Sequence, residues 1–99
     1  MLAYRFTETL KTMPFVEAIY LYGSRARGDY LERSDIDLAI VCPKASGEDW
    51  LKIMDIIEQA DTLLSIDCVR YDMLEAASQL KQNIDHDKKV LYVKSVKSL

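Results

Sequence analysis

Apolar residues in this chain recur with two different periods, and the change from one period to the other predicts the secondary structure. Apolar positions about three or four residues apart are typical of a helix with one face on a core. Short runs of β-branched and aromatic residues are typical of strands. The predicted helices cover 2–12, 24–28, a segment after Ser46 and a segment after Asp72. The predicted strands are 16–22, 35–42, 63–71 and 89–93.

This order of elements predicts a single α/β (α+β) domain over residues 1–99, in which helices cover a mixed four-stranded sheet. A short connection joins the first two strands and permits antiparallel pairing. A helical crossover joins the second strand to the third and implies parallel pairing. The last strand is flanked by lysines and is therefore expected at an edge of the sheet.

Two of the predicted helices begin with capping signals. Ser46 precedes Asp49 by three residues, the spacing of a capping box. Trp50, near the start of that helix, is predicted to pack on the core. Asp72, with an acidic residue three positions later, predicts a similar start for the last helix, and residues 84–87 are predicted to turn. The inward face of that last helix would consist of Met73, Leu74, Ala77, Leu80 and Ile84.

The composition is that of an ordinary globular protein, 49% hydrophobic and 29% charged. The net charge of −3 argues against a general nucleic-acid binder. Cys42 and Cys68 lie in apolar strands without metal-ligand spacing, so we expect free thiols in a reducing compartment. The start of the chain lacks a basic segment followed by an apolar one, and no apolar run reaches membrane-spanning length. The sequence therefore predicts a cytoplasmic protein without membrane contacts.

The most informative stretch lies between the first two predicted strands. Asp35 and Asp37 are separated by one residue at the start of a strand, so their side chains share one face. Neighbouring carboxylates repel each other unless a cation lies between them. Hard oxygen ligands of this kind suit magnesium, so the pair predicts a Mg²⁺ site at the start of the strand.

Gly23 and Ser24, at the end of the first strand, supply a second feature of the same site. Glycine permits a tight turn, and serine favours the N-terminus of a helix. The free N–H groups of a helix N-terminus attract phosphate. Ten residues separate Ser24 from Asp35. A phosphate-binding turn and a metal-binding carboxylate pair together predict a site for a metal-bound nucleoside triphosphate.

Gly23-Ser24, ten intervening residues and Asp35-Ile36-Asp37 resemble the signature of the polymerase-beta-type nucleotidyltransferases. The segment Gly-Ser-Arg-Ala-Arg-Gly-Asp, followed by Ser-Asp-Ile-Asp-Leu, is similar to the minimal nucleotidyltransferases, which are often antitoxin partners of HEPN-domain toxins. The resemblance covers essentially the whole chain. It implies the polymerase-beta-like fold, ATP as the donor and a HEPN toxin as the partner.

The resemblance also gives a role to Asp67, an acidic residue in the third apolar strand. The family's third carboxylate lies on a later strand between hydrophobic residues, as Asp67 lies between Ile66 and Cys68. Asp35, Asp37 and Asp67 would then be catalytic residues and ligands of two Mg²⁺ ions for in-line nucleotidyl transfer. The structural alternative for Asp67 is an acid at a strand end that pairs with an arginine.

Nucleotide binding is assigned to Gly23, Ser24 and Arg25. The glycine-serine turn would hold the phosphates through backbone N–H groups and the serine hydroxyl. Arg25 and Arg27 both suit phosphate, but residues two apart on a helical turn point in different directions, and Arg25 is the one assigned. A surface salt bridge to an acid of the following loop is the alternative for Arg25. His86 has no partner at metal-ligand spacing and is predicted to be a surface histidine.

Three functions remain open at the level of the sequence. The resemblance implies an enzyme that moves AMP from ATP to a tyrosine of a HEPN toxin, silences its RNase activity and acts as its antitoxin. A non-catalytic antitoxin would neutralise the toxin by binding alone, but all three acids are present, and clustered carboxylates are costly to keep. A nucleotidyltransferase that modifies a small molecule is less favoured, since the chain has no room for a separate acceptor-binding domain. A homo-oligomer is compatible with each function.

Overall fold

The computed structural model describes residues 5–31, 34–60 and 62–94. The described helices are α1 (Arg5–Lys11), α2 (Ser24–Arg27), α3 (Gly47–Glu58) and α4 (Gln79–Asp87). The described strands are β1 (Ala18–Tyr22), β2 (Ile36–Val41), β3 (Ile66–Arg70) and β4 (Lys89–Val93). The predicted first turn of α1, at residues 2–4, lies outside the described residues. None of the helices in these three segments is long and apolar enough to cross a membrane.

The strands of the described segments form one mixed sheet in the order β3-β2-β1-β4. β1 is antiparallel to both β2 and β4, whereas β2 is parallel to β3. Both pairings that the connection lengths predict are therefore confirmed, and β4 lies at an edge as its lysines predict. β3 is the strand at the opposite edge.

The two faces of this sheet are packed differently. One face packs against α1 and α3 through a large apolar core. Its fully buried side chains are Leu10, Val16, Ile19, Leu21, Ile36, Leu38, Ile40, Cys42 and Ile53. The opposite face is covered by α4 through a smaller cluster of Tyr22, Ala39 and Ile84. Because β2 alternates, Asp37 belongs to this thinly covered face together with Ala39.

α3 begins as the sequence predicts. The hydroxyl of Ser46 accepts a hydrogen bond from the Asp49 N–H at 3.1 Å, and the Asp49 carboxylate accepts one from the Ser46 N–H at 3.0 Å. This reciprocal pair is the predicted capping box. Ile53 and Ile57 are buried along the inner face of the helix, and Trp50 packs against the same core.

The helix predicted to begin after Asp72 begins later, which corrects the sequence prediction. Tyr71–Met73 form a single 3-10 turn, and α4 starts after Ser78, whose hydroxyl accepts a backbone N–H of the first turn at 3.2 Å. The Asp72 carboxylate is already engaged elsewhere, since it accepts the Cys42 N–H at 2.8 Å and pairs with Arg70 at 3.0 Å. Asp72 therefore binds the residue that follows β2, and Ser78 caps the helix instead.

The predicted inward face of that helix is only partly correct, for the same reason. Leu74 packs against the smaller cluster, and Ile84 is the buried residue of α4. The predicted inward residues that are exposed are Met73, Ala77 and Leu80. Residues 84–87, predicted to turn, are helical. α4 is therefore shorter than predicted and is mostly polar.

β3 begins later than the sequence predicts, and both cysteines are free. Leu63, the first residue of the predicted third strand, is fully exposed, and β3 begins at Ile66. Cys42 and Cys68 are free thiols, as expected. Burial, reinforced by the nearby Asp72 carboxylate, raises the pKa of Cys42 to about 11. Burial and the adjacent Asp67 raise the pKa of Cys68 to about 12.

Candidate active site

The parallel pair β2–β3 brings Asp37 and Asp67 side by side. The two residues are register partners, so their side chains leave the sheet on the same face. Asp35 directly precedes β2 and lies close enough for its charge to act on Asp37. Both Asp35 and Asp67 are exposed, whereas Asp37 is partly buried. The structure thus brings the three predicted carboxylates to the N-terminal end of β2.

The electrostatics of Asp37 reflect this crowding. Its pKa is raised above the ordinary value of 3.8, first by burial and then by the negative charges of Asp67 and Asp35. A cation between the carboxylates would relieve that repulsion, and hard oxygen donors of this kind fit Mg²⁺. Within residues 5–31, 34–60 and 62–94, however, no three His, Cys, Asp or Glu side chains are drawn together closely enough to form a ready-made metal group.

Gly23 lies directly against the Asp37 carboxylate. A Cβ atom at Gly23 would collide with Oδ2 of Asp37 and would lie 3.3 Å from its Cγ. The backbone of Gly23, with φ 74° and ψ −156°, belongs to a region that is essentially open to glycine alone. α2 begins at the next residue, Ser24, and the N–H groups of Ala26 and Arg27 donate to the Gly23 carbonyl at 3.1 and 3.0 Å. The Ser24 N–H is the helix donor directly beside Gly23. A phosphate held at this turn would therefore lie next to the carboxylates.

Tyr22 forms part of the site although nothing in the sequence analysis selects it. It is the register partner of Asp37 on β1 and is 7% exposed. Burial, followed by the charges of Asp67 and Asp37, raises the pKa of its phenol to about 12. Tyr22 therefore keeps its proton at neutral pH, and its uncharged side chain lies beside the acids. Its position directly before Gly23 is the one sequence signal that could have found it.

Arg25 is the second residue of α2, and its role in nucleotide binding stays a prediction. Its side chain is buried, its Nε donates to the Ser34 carbonyl at 3.0 Å, and its guanidinium lies 4.6 Å from the centre of the Tyr30 ring. Ser34 is the residue before Asp35. Arg25 therefore holds the loop that leads into the carboxylate pair.

Arg27 is the arginine whose charge reaches the acids. It lowers the pKa of Asp37 and so opposes part of the effect of the other carboxylates. Its Nε donates to Asp29 at 3.1 Å, and its Nη1 donates to Asp87 of α4 at 2.9 Å. Residues two apart on a helix point about 200° apart, so only one of the two arginines can turn toward the acids.

A family model described as "Polymerase beta, Nucleotidyltransferase" matches residues 5–97. The chain belongs to the polymerase-beta nucleotidyltransferase family. The glycine-serine turn and the aspartates at the start of β2 thus lie in a domain of the family that the sequence motif indicates. No curated protein sequence matches the chain.

Solved structures share the fold of this nucleotidyltransferase domain at low sequence identity. A toxin–antitoxin structure with AMP-PNP is 21% identical with a TM-score of 0.65, over 91% of this chain and 74% of that chain. The structure of a tri-AMPylated Shewanella oneidensis HEPN toxin in complex with MNT antitoxin is 19% identical with a TM-score of 0.58, over 90% of this chain and 70% of that chain. A putative nucleotidyltransferase from Sulfolobus solfataricus is 24% identical with a TM-score of 0.54, over 89% of this chain and 73% of that chain. The predicted polymerase-beta-like fold is confirmed.

Proposed function

We propose that this chain is a magnesium-dependent nucleotidyltransferase that moves AMP from ATP to a tyrosine hydroxyl of a partner HEPN toxin and acts as its antitoxin. The observation that carries the proposal is the contact between the Gly23 turn and Asp37. Asp67 is the register partner of Asp37 on the neighbouring strand β3. Family membership supports the class of reaction. The likeness of the fold to a toxin–antitoxin structure with AMP-PNP supports the donor and the partner.

The three carboxylates have the donor chemistry that magnesium requires. Asp35, Asp37 and Asp67 would hold Mg²⁺, which when bound would neutralise triphosphate charge and increase the acidity of the acceptor hydroxyl. The raised pKa of Asp37 supports this assignment, because crowded carboxylates gain most from a cation. Tyr22 is uncharged and buried beside Asp37, so one neighbour of the carboxylates is an apolar ring.

The turn at Gly23 would bind the β and γ phosphates. The N–H groups at the start of α2 and the Ser24 hydroxyl are donors suited to phosphate oxygens. Arg27 would supply a positive charge on the same side as the acids, in agreement with its effect on Asp37. Arg25 would contribute to nucleotide binding indirectly, by holding the Ser34 carbonyl and with it the loop before the carboxylate pair.

The transfer itself exchanges one phosphorus–oxygen bond for another. The acceptor oxygen bonds to the α-phosphorus, the bond to the bridging oxygen of the leaving group breaks, and pyrophosphate departs while the hydroxyl proton is released. Asp67 is exposed and lies on the edge strand β3. A bulky acceptor such as a protein tyrosine can approach from this edge, which favours a protein over a deeply bound small molecule.

A second candidate function is an antitoxin that acts by binding alone. In the part of the chain that the structure describes, no three acidic, histidine or cysteine side chains form a ready-made metal group. A site that does not close around a metal would leave toxin binding as the only function. The two candidates differ in whether the toxin becomes covalently modified.

One experiment separates them. The purified chain is incubated with its HEPN partner, Mg²⁺ and ATP labelled on the α-phosphate, and the toxin is analysed for labelled tyrosine. Asp37→Ala should reduce labelling by more than the roughly 10–100-fold loss typical of an outer-shell change at a metal site. Asp55→Ala, an exposed acid on α3, is the matched control and should label like the wild type.

The possible outcomes are distinct. Label on the toxin that Asp37→Ala removes supports the enzyme. A tight complex without label, unchanged by Asp37→Ala, supports neutralisation by binding. Label that appears only on small hydroxyl compounds would replace the toxin with a small-molecule acceptor.

A further inference from the structure

α4 reaches across the structure to the turn that we propose binds phosphate. Asp87, the last residue of α4, accepts a hydrogen bond from Nη1 of Arg27 at 2.9 Å, although the two residues are 60 positions apart in the chain. Asp29 accepts from Nε of the same guanidinium at 3.1 Å. Two carboxylates from different parts of the chain therefore hold one arginine beside the active-site acids.

Asp87 is itself held in place. Its side chain is 11% exposed, and its Oδ1 lies 2.8 Å from Nδ1 of His86. Hydrogen bonds from His86 and Arg27 lower the pKa of Asp87, so the carboxylate is charged at neutral pH. The predicted surface position of His86 is confirmed, since its side chain is 87% exposed.

α4 is seated on the face that carries the acids. Ile84 is buried between the helix and the sheet, and the Lys88 ammonium lies 4.5 Å from the centre of the Tyr20 ring. Tyr71 donates its hydroxyl to Asp85 of the same helix. The burial of Ile84 and the Lys88–Tyr20 contact are sufficient to place the end of α4, and hence Asp87, relative to the sheet without Arg27 or the Tyr71–Asp85 bond.

The geometry of the guanidinium leaves one nitrogen for a ligand. Nε and Nη1 of Arg27 are used by the two carboxylates, while Nη2 makes no hydrogen bond to any residue within the described segments. A long side chain that is already held in one orientation loses less freedom when it binds a ligand. The two carboxylates thus fix the orientation of the guanidinium and leave Nη2 able to donate to a ligand.

We propose that Asp87 is a positioning residue, which acts through Arg27 to hold the guanidinium toward the triphosphate and so couples α4 to nucleotide binding. The inference rests on the proposed nucleotidyltransferase function and adds to it a role for α4. It requires that loss of Asp87 weaken nucleotide binding while leaving the chemical step nearly unchanged. It also requires that the effect disappear when Arg27 is absent.

The first test measures the Kd of the whole chain for AMP-PNP with Mg²⁺ by titration calorimetry. Asp87→Ala should weaken binding about two- to five-fold, the range expected for a partly exposed charge pair. Asp87→Glu should restore most of the affinity. Asp85→Ala is the matched control, since Asp85 lies on the same helix and holds Tyr71 without touching Arg27. It should bind like the wild type.

A double-mutant cycle tests whether Asp87 acts through Arg27. Arg27→Ala should weaken binding, and adding Asp87→Ala to it should change the Kd no further. In the labelling reaction with the HEPN partner, Asp87→Ala should raise the KM for ATP by the same factor as the Kd, with kcat within about two-fold of the wild type. A residue that merely stabilised the fold would lower the melting temperature without this pattern.

The results that overturn the inference are specific. Asp87→Ala that binds like the wild type, or more tightly, would show that the carboxylate does not brace the arginine for a ligand. An equal loss in Asp85→Ala would assign the effect to the seating of α4 in general. If the wild type binds no Mg²⁺–AMP-PNP, the proposed function fails and this inference with it, whereas wild-type binding without an Asp87 effect refutes only the inference.

Discussion

Gly23 and Gly28 form a natural pair for testing how closely the phosphate turn and the carboxylates are packed. Both glycines have a positive φ, 74° and 88° respectively. A Cβ at Gly23 would collide with the Asp37 carboxylate, whereas a Cβ at Gly28 would meet nothing within 4 Å. Alanine at Gly28 therefore tests the backbone penalty, and alanine at Gly23 adds the collision with Asp37.

The expected magnitudes differ accordingly. At Gly28, with ψ 3°, the left-handed backbone costs an alanine about 1–2 kcal/mol. At Gly23 the backbone region alone costs about 1–3 kcal/mol, and turning Asp37 away from its preferred rotamer adds about 0.5–1.5 kcal/mol. For a domain of this size, each kcal/mol lowers the melting temperature by about 4–8 °C. Gly23→Ala should therefore lower the melting temperature by about twice as much as Gly28→Ala.

Nucleotide binding should separate the two variants more sharply than stability does. Gly23→Ala displaces both the turn and Asp37, so its affinity for AMP-PNP with Mg²⁺ should fall by more than about ten-fold, or about 1.4 kcal/mol. Gly28→Ala should bind within about two-fold of the wild type. Calorimetry gives the affinity, and thermal unfolding without metal gives the stability. Equal losses of both quantities in the two variants would refute the contact between the turn and the carboxylate.

Three further outcomes are expected from the same structure. Because the pKa of Asp37 is raised in the folded protein, the stability that this group contributes decreases as the pH rises from 3.8 through the raised value. In EDTA, Asp37→Asn should therefore have a higher melting temperature than the wild type at pH 7 and should lose that advantage near pH 3. A difference in melting temperature that does not change with pH would contradict this. Asp72→Ala leaves the Cys42 N–H and Arg70 without their shared acceptor and should reduce the free energy of unfolding by about 1–3 kcal/mol in urea titrations. Both thiols should react far more slowly with a disulfide reagent at pH 7.5 in the folded protein than in urea, because burial raises the pKa of Cys42 to about 11 and that of Cys68 to about 12; fast labelling of native Cys68 would contradict this.

Local sequence patterns were sufficient to predict the strands, the faces of β2 and the parallel crossover. They could not predict which residue of β3 stands opposite Asp37. A shift of one residue would turn Asp67 to the other face, and only the packing of the whole sheet selects the register. The same limit applies to Tyr22, whose partnership with Asp37 is a property of the β1–β2 ladder and not of any motif.

The errors near Asp72 have a physical cause that also bears on the two arginines. A side chain that satisfies a local pattern can be used by a distant part of the chain. Asp72 has the spacing of a helix cap but bonds to the end of β2 and to Arg70. Arg27 could be recognised as the arginine near the acids only once α2 had been oriented relative to β2 and Asp87 brought to it from α4.

The unequal packing of the two sheet faces separates the source of stability from the site of function. The face against α1 and α3 holds most of the fully buried side chains, so the fold does not depend on α4 for its main core. α4 buries Ile84 and is otherwise attached by charged and aromatic contacts such as Lys88 over Tyr20. Such contacts weaken with salt, whereas apolar burial does not. A helix held in this way contributes little to the main core, and its ion pair with Arg27 joins it to the helical turn that follows Gly23.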